Sequence, residues 1–377
     1  MNILVTGARA PIAADLVHCL IRLGHRVWTA DSMLFPVGRF SPGSEAYLRL
    51  PSPRYDFAAF SNRLVELCRE HSIELVIPTS EEVFWLAAVP LPQPCRGFYP
   101  SPEILHELHH KHRFALLAEK LGYGSGGNQL LSSRGNLMEW LSVAELDKSV
   151  LKPVYSRFAS RTLISPTVEQ VLSINPTEEF PWLAQKKAHG QEYCIYNIAS
   201  DGKLLLHLAY QPRWRAGQGA GIYFVPVEDL SLRQLSMEFI AATRATGQIC
   251  FDVIATASGL VALECNPRGT SGAHLAAQHP DHFARALLGE KISLPPTSPV
   301  MLALPMLMYH PGLLFSPSGR QAWHLAKDAM RNARIPFPAQ TLATCELAFR
   351  AFCGGRNLLE QSTQDIEWNG ERRGNHA

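Results

Sequence analysis

The sequence contains no long uncharged apolar segment, and this absence excludes a common class of membrane protein. A helix that crosses a bilayer needs about 18 or more consecutive apolar residues, and no such run occurs in the 377 residues. The chain opens on the apolar residues 3–5 rather than on a basic stretch followed by a long apolar core, so we expect no signal peptide. We therefore expect a cytoplasmic protein that does not bind membranes.

The sequence also lacks paired cysteines and a charge excess of one sign. Its eight cysteines are scattered without a Cys-x-x-Cys pair, and several lie in apolar runs, as Cys250 does. This favours buried, reduced thiols over a disulfide framework or a zinc site. The 35 Lys and Arg residues nearly balance the 33 Asp and Glu residues, which leaves a net charge of +2. No field of the whole protein therefore points to nucleic acid or an anionic membrane.

The motifs of a nicotinamide-dependent oxidoreductase are missing as well. Gly7 follows a strand-like segment, but the next residues are Ala-Arg-Ala-Pro-Ile and do not complete a Gly-x-Gly-x-x-Gly turn. A Tyr-x-x-x-Lys pair is also absent. The first turn therefore does not have the glycines that dinucleotide binding requires.

Strand and helix patterns are present throughout, and the length predicts two or three domains. In residues 1–100, apolar strand-like segments alternate with amphipathic helical segments, which predicts an α/β domain with a parallel, doubly wound sheet. Residues 101–295 turn to short strands with hairpin turns at 200–202 and 257–259, which predicts an α+β domain. We expect residues 296–377 to form a small C-terminal region with one helix over 321–334 and a frayed end from Gln361.

The most informative segment is the predicted hairpin over residues 250–266. Asp252 lies near the end of its first strand and Glu264 near the end of its second, so folding about the turn brings them side by side. Asn266, two residues after Glu264, points to the same face. Two carboxylates and an amide oxygen repel each other unless a cation lies between them, and such oxygen ligands suit Mg²⁺. The alternative is a surface hairpin with solvated acids, which the apolar neighbours Phe251 and Val253 disfavour.

An acid followed twelve positions later by Glu-x-Asn-Pro-Arg resembles the magnesium signature of the ATP-grasp enzymes. The resemblance covers about residues 111–275. It implies an α/β N-terminal parallel-sheet domain followed by an α+β ATP-grasp fold. It also implies ATP and one or two Mg²⁺ ions as cofactors, with Mn²⁺ as a substitute.

The same resemblance implies a set of nucleotide-binding residues. Lys111 and Lys152 correspond to the two phosphate-binding lysines, residues 185–188 to the hinge along the adenine edge, and Glu192 to the ribose ligand. Without the resemblance, Lys152 would be read as a lysine at a strand end whose side chain reaches solvent. Glu192 would be read as an exposed acid on a strand. The cofactor-binding residues are thus expected to be Lys111, Lys152, Gln185, Lys186, Lys187, Ala188 and Glu192.

Residues that would act on the substrates are expected nearby. Arg268 is the candidate for holding the acceptor carboxylate, with Arg213 and Arg215 as further catalytic candidates or simply a basic surface turn. Gly272 lies in a small-residue turn where a substrate could approach the backbone. Glu81 and Glu82 follow a parallel strand and are either ligands of a substrate ammonium or an ordinary acidic helix start.

The segment over residues 155–161 departs from the family pattern, because it contains no glycine where a Gly-rich loop usually covers the phosphates. Arg157 and Arg161 would replace the amide donors by charge. We expect an ADP-forming carboxylate–amine ligase that makes an amide bond through an acyl phosphate on a small, amino-acid-like substrate. The alternatives are carboxylation, acyl-thioester formation or ATP binding without catalysis. The expected partners are ATP and small-molecule carboxylate and amine substrates, without nucleic acid, and a homodimer is left open.

Overall fold

The computed structural model describes residues 1–157, 161–217 and 219–371. Its first part is a five-stranded parallel sheet in the order β3-β2-β1-β4-β5. The elements of this part are β1 (Asn2–Thr6), α1 (Pro11–Arg22), β2 (Arg26–Asp31), β3 (Tyr47–Arg49), α2 (Phe57–Glu70), β4 (Leu75–Ile77), α3 (Val83–Leu86) and β5 (Arg96–Gly97). The parallel, doubly wound sheet that the sequence predicts is therefore confirmed.

Helices cover both faces of this sheet, which explains its uninterrupted apolar strands. Successive residues of β1 alternate between faces: Ile3 and Val5 pack with Leu16 of α1, while Leu4 packs with Leu64 of α2. All five side chains are fully buried. The central strand is thereby fixed in register, because a slip of one residue would exchange its two faces.

A second, four-stranded antiparallel sheet follows two helices and has the order β6-β9-β7-β8. Its core contains Trp140, Trp182 and surrounding aliphatic side chains. The elements of this part are α4 (Pro102–His109), α5 (Lys111–Lys120), β6 (Gln129–Leu131), α6 (Arg134–Val143), β7 (Ser149–Pro153), β8 (Leu163–Ile164), α7 (Val168–Ser173) and β9 (Trp182–Lys186).

The largest sheet has seven strands in the order β14-β13-β10-β11-β12-β15-β16. One face is covered by α5 and α8, where Phe114, Phe239 and Phe251 stack together. Tyr196 and Tyr210 instead join the core that contains α1 of the first sheet. The elements are β10 (Gln191–Ser200), β11 (Lys203–Ala216), β12 (Ala220–Val227), α8 (Leu230–Thr243), β13 (Gly247–Thr256), β14 (Gly259–Asn266), α9 (Ala273–Ala276), α10 (Pro280–Leu287) and β15 (Val300–Met301).

The C-terminal region differs from the sequence-based expectation. The helix predicted over 321–334 is confirmed only in part: residues 321–325 lie in α12 and residues 329–332 in α13, and between them a short strand pairs in parallel with β15. The longest helix of this region was not predicted, and two strands of the region belong to the seven-stranded sheet. The elements are α11 (Ala303–Tyr309), α12 (Pro317–Leu325), β16 (Lys327–Asp328), α13 (Ala329–Asn332), α14 (Phe337–Gly354) and α15 (Leu358–Gln361).

The end of the described chain is ordered against the first sheet, so the expected frayed tail from Gln361 is wrong up to residue 371. Asp365 forms an ion pair with the buried Arg9, and Trp85 Nε1 donates a hydrogen bond to the carbonyl oxygen of Ile366 at 2.9 Å. Trp368 stacks on Phe84. The polar sequence of this segment predicts exposure, but its acids meet arginines that are more than 200 residues away in sequence. Within the described residues, no helix is long and apolar enough to span a membrane.

Candidate active site

The hairpin of β13 and β14 brings the predicted metal ligands together. Asp252 lies directly opposite Glu264 in the ladder, and Cys250 lies opposite Asn266. Glu264 and Asn266 are two residues apart on one strand, so their side chains share a face. Phe251, which precedes Asp252, is buried in the core on the other side. Two carboxylates and an amide oxygen therefore line one face of the hairpin.

The two carboxylates are electrostatically coupled. Burial raises the pKa of Asp252, and the neighbouring Glu264 raises it further. Burial acts in the same direction on Glu264, but Lys111 and Lys152 outweigh it and lower the pKa of that carboxyl. Without a cation, Asp252 tends to keep a proton next to the ionised Glu264. A divalent cation would replace this proton, and the oxygen-only donor set fits Mg²⁺.

Two buried lysines converge on the strand that carries Glu264. Lys111, at the start of α5, places its Nζ 3.4 Å from Glu264 Oε2 and donates to the carbonyl oxygen of Ser156 at 2.7 Å. Lys152, on β7, donates to the carbonyl oxygen of Leu263 at 3.0 Å. Burial lowers the pKa of Lys152 to about 8, with a further lowering from Lys111. Two buried ammonium groups beside one carboxylate leave positive charge that suits an anionic ligand.

The predicted nucleotide hinge lies at the end of β9 and the start of β10. The Nε2 of Gln185 donates to Ser125 Oγ at 3.1 Å, so this side chain is held by the protein, and the backbone N–H groups of Lys186 and Lys187 donate to the carbonyl oxygens of Gly126 and Lys148. Lys187 Nζ donates to Ser165 Oγ at 3.0 Å. Lys186 is exposed and Ala188 is half-buried beside it.

Glu192 lies on the same face of the large sheet as Asp252. Cys194 is the ladder partner of Asp252, and Glu192 precedes Cys194 by two residues, so alternation gives both acids one face. Glu192 forms an ion pair with Arg215. Of the two candidate arginines, which both lie on β11, Arg215 therefore contacts the sheet face that carries Glu192 and Asp252.

The surroundings of Arg213 and Gly272 account for both residues without a substrate. Arg213 is exposed and stacks over the ring of Trp214 with its guanidinium carbon 4.4 Å from the centroid. A Cβ at Gly272 would lie 2.5 Å from Tyr196 Cβ. Arg213 is thus a surface residue, and packing against a core tyrosine accounts for the glycine at 272; their contact with a substrate stays a prediction.

Arg268 contacts both the metal-ligand face and the first sheet. Its Nη2 donates to Asn266 Oδ1 at 3.2 Å, and its Nε donates to Glu81 Oε1 at 2.7 Å. Arg157 Nη2 lies 2.8 Å from the other oxygen of Glu81. Burial would raise the pKa of the fully buried Glu81, but Arg157 and Arg268 outweigh it and hold this pKa far below its usual range.

The acidic pair at residues 81–82, predicted to bind a substrate ammonium or to start a helix, is buried among groups of the chain. Glu81 is neutralised by two guanidinium groups, and Glu82 accepts hydrogen bonds from Thr6 Oγ1 at 2.9 Å and the backbone N–H of Thr79 at 3.0 Å. Each oxygen of Glu81 therefore has a guanidinium partner, whereas Glu82 Oε2 is buried without a hydrogen-bond partner among the described residues. Glu81 positions the arginines, and Glu82 ties β1 to the segment after β4.

The glycine-free segment over residues 155–161 is described in part, because residues 158–160 lie outside the described residues. Arg157 donates to the carbonyl oxygen of Trp368 at 2.6 Å and to Asn369 Oδ1 at 2.8 Å, so it contacts the C-terminal segment as well as Glu81. Arg161 is exposed and lines a polar cleft. The sequence analysis missed the link from Glu81 through Arg157 to the C-terminal segment, and no local pattern in the sequence marks it.

Comparison with known proteins identifies the fold. No protein-family model and no curated protein matches this sequence, whereas many solved structures do. The biotin carboxylase domain of Hydrogenobacter thermophilus 2-oxoglutarate carboxylase, solved with MgADP, ADP and bicarbonate, is 14% identical. The alignment covers 79% of this chain and 73% of that one, with a TM-score of 0.61.

Two further structures are synthetases. N5-carboxyaminoimidazole synthetase from Staphylococcus aureus, solved with ADP, has a TM-score of 0.63 at 10% identity and covers 84% of this chain and 86% of its own. N5-carboxyaminoimidazole ribonucleotide synthetase from Thermus thermophilus has a TM-score of 0.60 at 14% identity, with 80% and 82% covered. The chain therefore has the ATP-grasp fold behind a parallel-sheet domain, as the sequence predicts.

Proposed function

We propose that this chain, which has the ATP-grasp fold, is an ATP-dependent ligase that activates a carboxylate as an acyl phosphate and joins it to an amine. The observation that carries the proposal is the single face formed by Asp252, Glu264 and Asn266, with Lys111 and Lys152 against it. Solved structures of the same fold contain MgADP or ADP, which supports the same ligand here.

Different residues would bind the metal ion, the phosphates, the adenine and the ribose of the nucleotide. Asp252, Glu264 and Asn266 would hold Mg²⁺, which when bound neutralises phosphate oxygens and orients them. Lys111 and Lys152 place two ammonium groups where the phosphates would lie, and both are already desolvated, so their charge acts at low dielectric. The backbone of residues 185–188 and the carboxylate of Glu192 would receive the adenine and the ribose.

Arg268 would hold the carboxylate that accepts the γ-phosphoryl group. Its guanidinium has five N–H donors, of which the described structure uses three, on Glu81, Asn266 and the carbonyl oxygen of Gly269. Two donors are left for a carboxylate. Because Nη2 already contacts Asn266, this carboxylate would lie next to the metal-ligand face, in reach of the terminal phosphate.

The chemistry then follows from this placement. A carboxylate oxygen attacks the γ-phosphorus, ADP leaves, and the acyl phosphate forms. The amine nitrogen next attacks the acyl carbon, phosphate leaves, the nitrogen loses a proton, and the amide bond is complete. The role of the chain's own residues is to position the reactants and to stabilise the charge on the transferring group.

The direct test is an ADP-release screen with pools of carboxylic acids and amines, followed by mass detection of the product. We expect ADP release to require one acid and one amine, and Glu264→Gln to lower the rate by about 100-fold or more. Glu290→Gln is the matched control, because Glu290 is a surface acid paired with Arg285 and should leave the rate unchanged. Unchanged ADP release in Glu264→Gln would contradict the ligase proposal.

Carboxylation is the second candidate, favoured by the likeness to a biotin carboxylase domain solved with bicarbonate. In that case bicarbonate is the acid that takes the phosphoryl group, and the same residues act. The screen separates the two reactions. If the chain is a carboxylase, bicarbonate and the correct amine would stimulate ADP release without any other carboxylic acid. A product heavier than the amine by one carboxyl group would decide for carboxylation.

A further inference from the structure

A cavity of about 350 Å³ lies next to Arg268, and its wall is mostly aliphatic. The first turn of α1, the strand β12 and the four C-terminal helices α11, α13, α14 and α15 contribute to the wall. The lining includes Ile12, Val37, Ile222, Met308, Leu347 and Leu359. This cavity is separate from the phosphate-binding lysines, and Arg268 is the charged group that it shares with the metal-ligand face.

The cavity does not provide a site for a second phosphate. Its other arginine, Arg9, forms ion pairs with Asp31 and Asp365, which neutralise it inside the protein. The name of one structural neighbour contains a ribonucleotide. The phosphate of such a substrate would lie against an aliphatic wall that offers no unpaired cation. Desolvating such a dianion without a partner is strongly unfavourable.

One buried polar atom in the wall lacks a partner. His274 is 2% exposed and lines the cavity. Its Nδ1 is held by Asp15, while its Nε2 has no hydrogen-bond partner among the described residues. A buried ring nitrogen without a partner is unfavourable, so His274 is a ready contact for a polar group of a ligand.

Resting on the proposed function, we propose that this cavity binds the acid substrate and that this substrate is a hydrophobic carboxylic acid. Its carboxylate meets the two spare donors of Arg268, its aliphatic or aromatic body fills the cavity, and a polar substituent reaches His274 Nε2. The volume equals that of roughly twelve water molecules at about 30 Å³ each, which suits a side chain of leucine or phenylalanine size or an acyl chain of medium length.

The test measures binding of a series of acids, from acetate through butanoate to octanoate together with leucine and phenylalanine, to the full chain by calorimetry without ATP. The same acids are then used in the ADP-release assay. We expect the dissociation constant to fall about fourfold for each added CH₂, the factor that corresponds to about 0.8 kcal/mol of burial. Equal binding of acetate and octanoate would overturn the proposal without the use of any variant.

A cavity-filling variant adds a structural control. Ala343 on α14 lines the cavity, so Ala343→Phe should weaken octanoate binding by about tenfold or more and leave MgATP binding unchanged. Ala348 lies on the exposed side of the same helix, and Ala348→Phe should change neither. Unaltered octanoate binding in Ala343→Phe contradicts the proposed position.

The two proposals fail in different ways. If only polar acids stimulate ADP release, the ligase function stands and the hydrophobic substrate class is wrong. If hydrophobic acids bind in the Ala343-dependent manner but no acid and amine together release ADP, the cavity is a site for hydrophobic acids and the ligase function is wrong.

Discussion

Replacement of Glu81 by glutamine should strongly destabilise the protein, because Glu81 is the only described counter-ion that Arg157 and Arg268 share. The carboxylate is fully buried, and the side chains of Arg157 and Arg268 are 7% and 16% exposed. Removing one partner of such a buried pair costs about 3–5 kcal/mol. Arg157 keeps Asn369 at 2.8 Å, so we expect a loss near the lower end, about 3 kcal/mol.

This loss can be measured by urea unfolding, followed by tryptophan fluorescence and by circular dichroism, with agreement of the two probes as the test of a two-state transition. Glu290→Gln makes the same chemical change at a surface ion pair and should leave the midpoint unchanged. The double variant Glu81→Gln, Arg157→Met should lose less stability than the sum of the two single variants, by about 1–3 kcal/mol. The shared counter-ion argument would be refuted if Glu81→Gln and Glu290→Gln had the same urea midpoint. It would also be refuted if the stability loss of the double variant equalled the sum of the losses of the two single variants.

Two further predictions concern His109 and Gly7. Burial lowers the pKa of His109 to about 3, so the folded protein binds fewer protons at this residue than the unfolded chain does. The contribution of His109 to the free energy of unfolding is therefore fully present above about pH 6.5 and is lost as the pH falls from there towards 3. His109→Phe keeps the stacking on Phe84 and should flatten the pH dependence of the urea midpoint between pH 6.5 and 4.5; an unchanged slope would refute this. Gly7 has φ +66° and a Cβ there would lie 2.5 Å from Glu82 Oε1, whereas at Gly24, with φ +80°, a Cβ would meet no described atom within 4 Å. Gly7→Ala should therefore cost at least about 2 kcal/mol and Gly24→Ala about 1 kcal/mol, and equal thermal shifts in the two variants would contradict the steric argument.

The parts of the fold that the sequence predicts are those with strong local patterns. The alternation of strands and helices in residues 1–100 gives the parallel sheet, because each strand is an apolar run between short turns. The hairpin of β13 and β14 is predictable for the same reason, since a turn at Ser258 and alternating apolar residues determine which side chains face each other. The opposition of Asp252 and Glu264 follows from this local geometry.

The missed parts depend on contacts between residues that are distant in sequence. Helix α14 also carries apolar residues on its exposed side, namely Leu342, Phe349 and Phe352, so its sequence does not show the single apolar stripe that identifies a packed helix. The segment from Gln361 to Glu371 is polar and reads as exposed. Its order comes from Arg9, Arg54 and Arg157, which no local pattern connects to it.

The ordered C-terminal segment also affects the sequence of events during folding. Arg9 and its partner Asp365 are 356 residues apart in the sequence. The same segment supplies contacts to Arg54 and to Arg157. At a synthesis rate of about 5–20 residues per second, Asp365 follows Arg9 by roughly 20 seconds or more, and Glu367 follows Arg157 by roughly 10 seconds or more. Until then, Arg9 has Asp31 as its partner and Arg157 has Glu81, so the ion pairs that join the C-terminal segment to the rest of the protein are the last of these contacts to form.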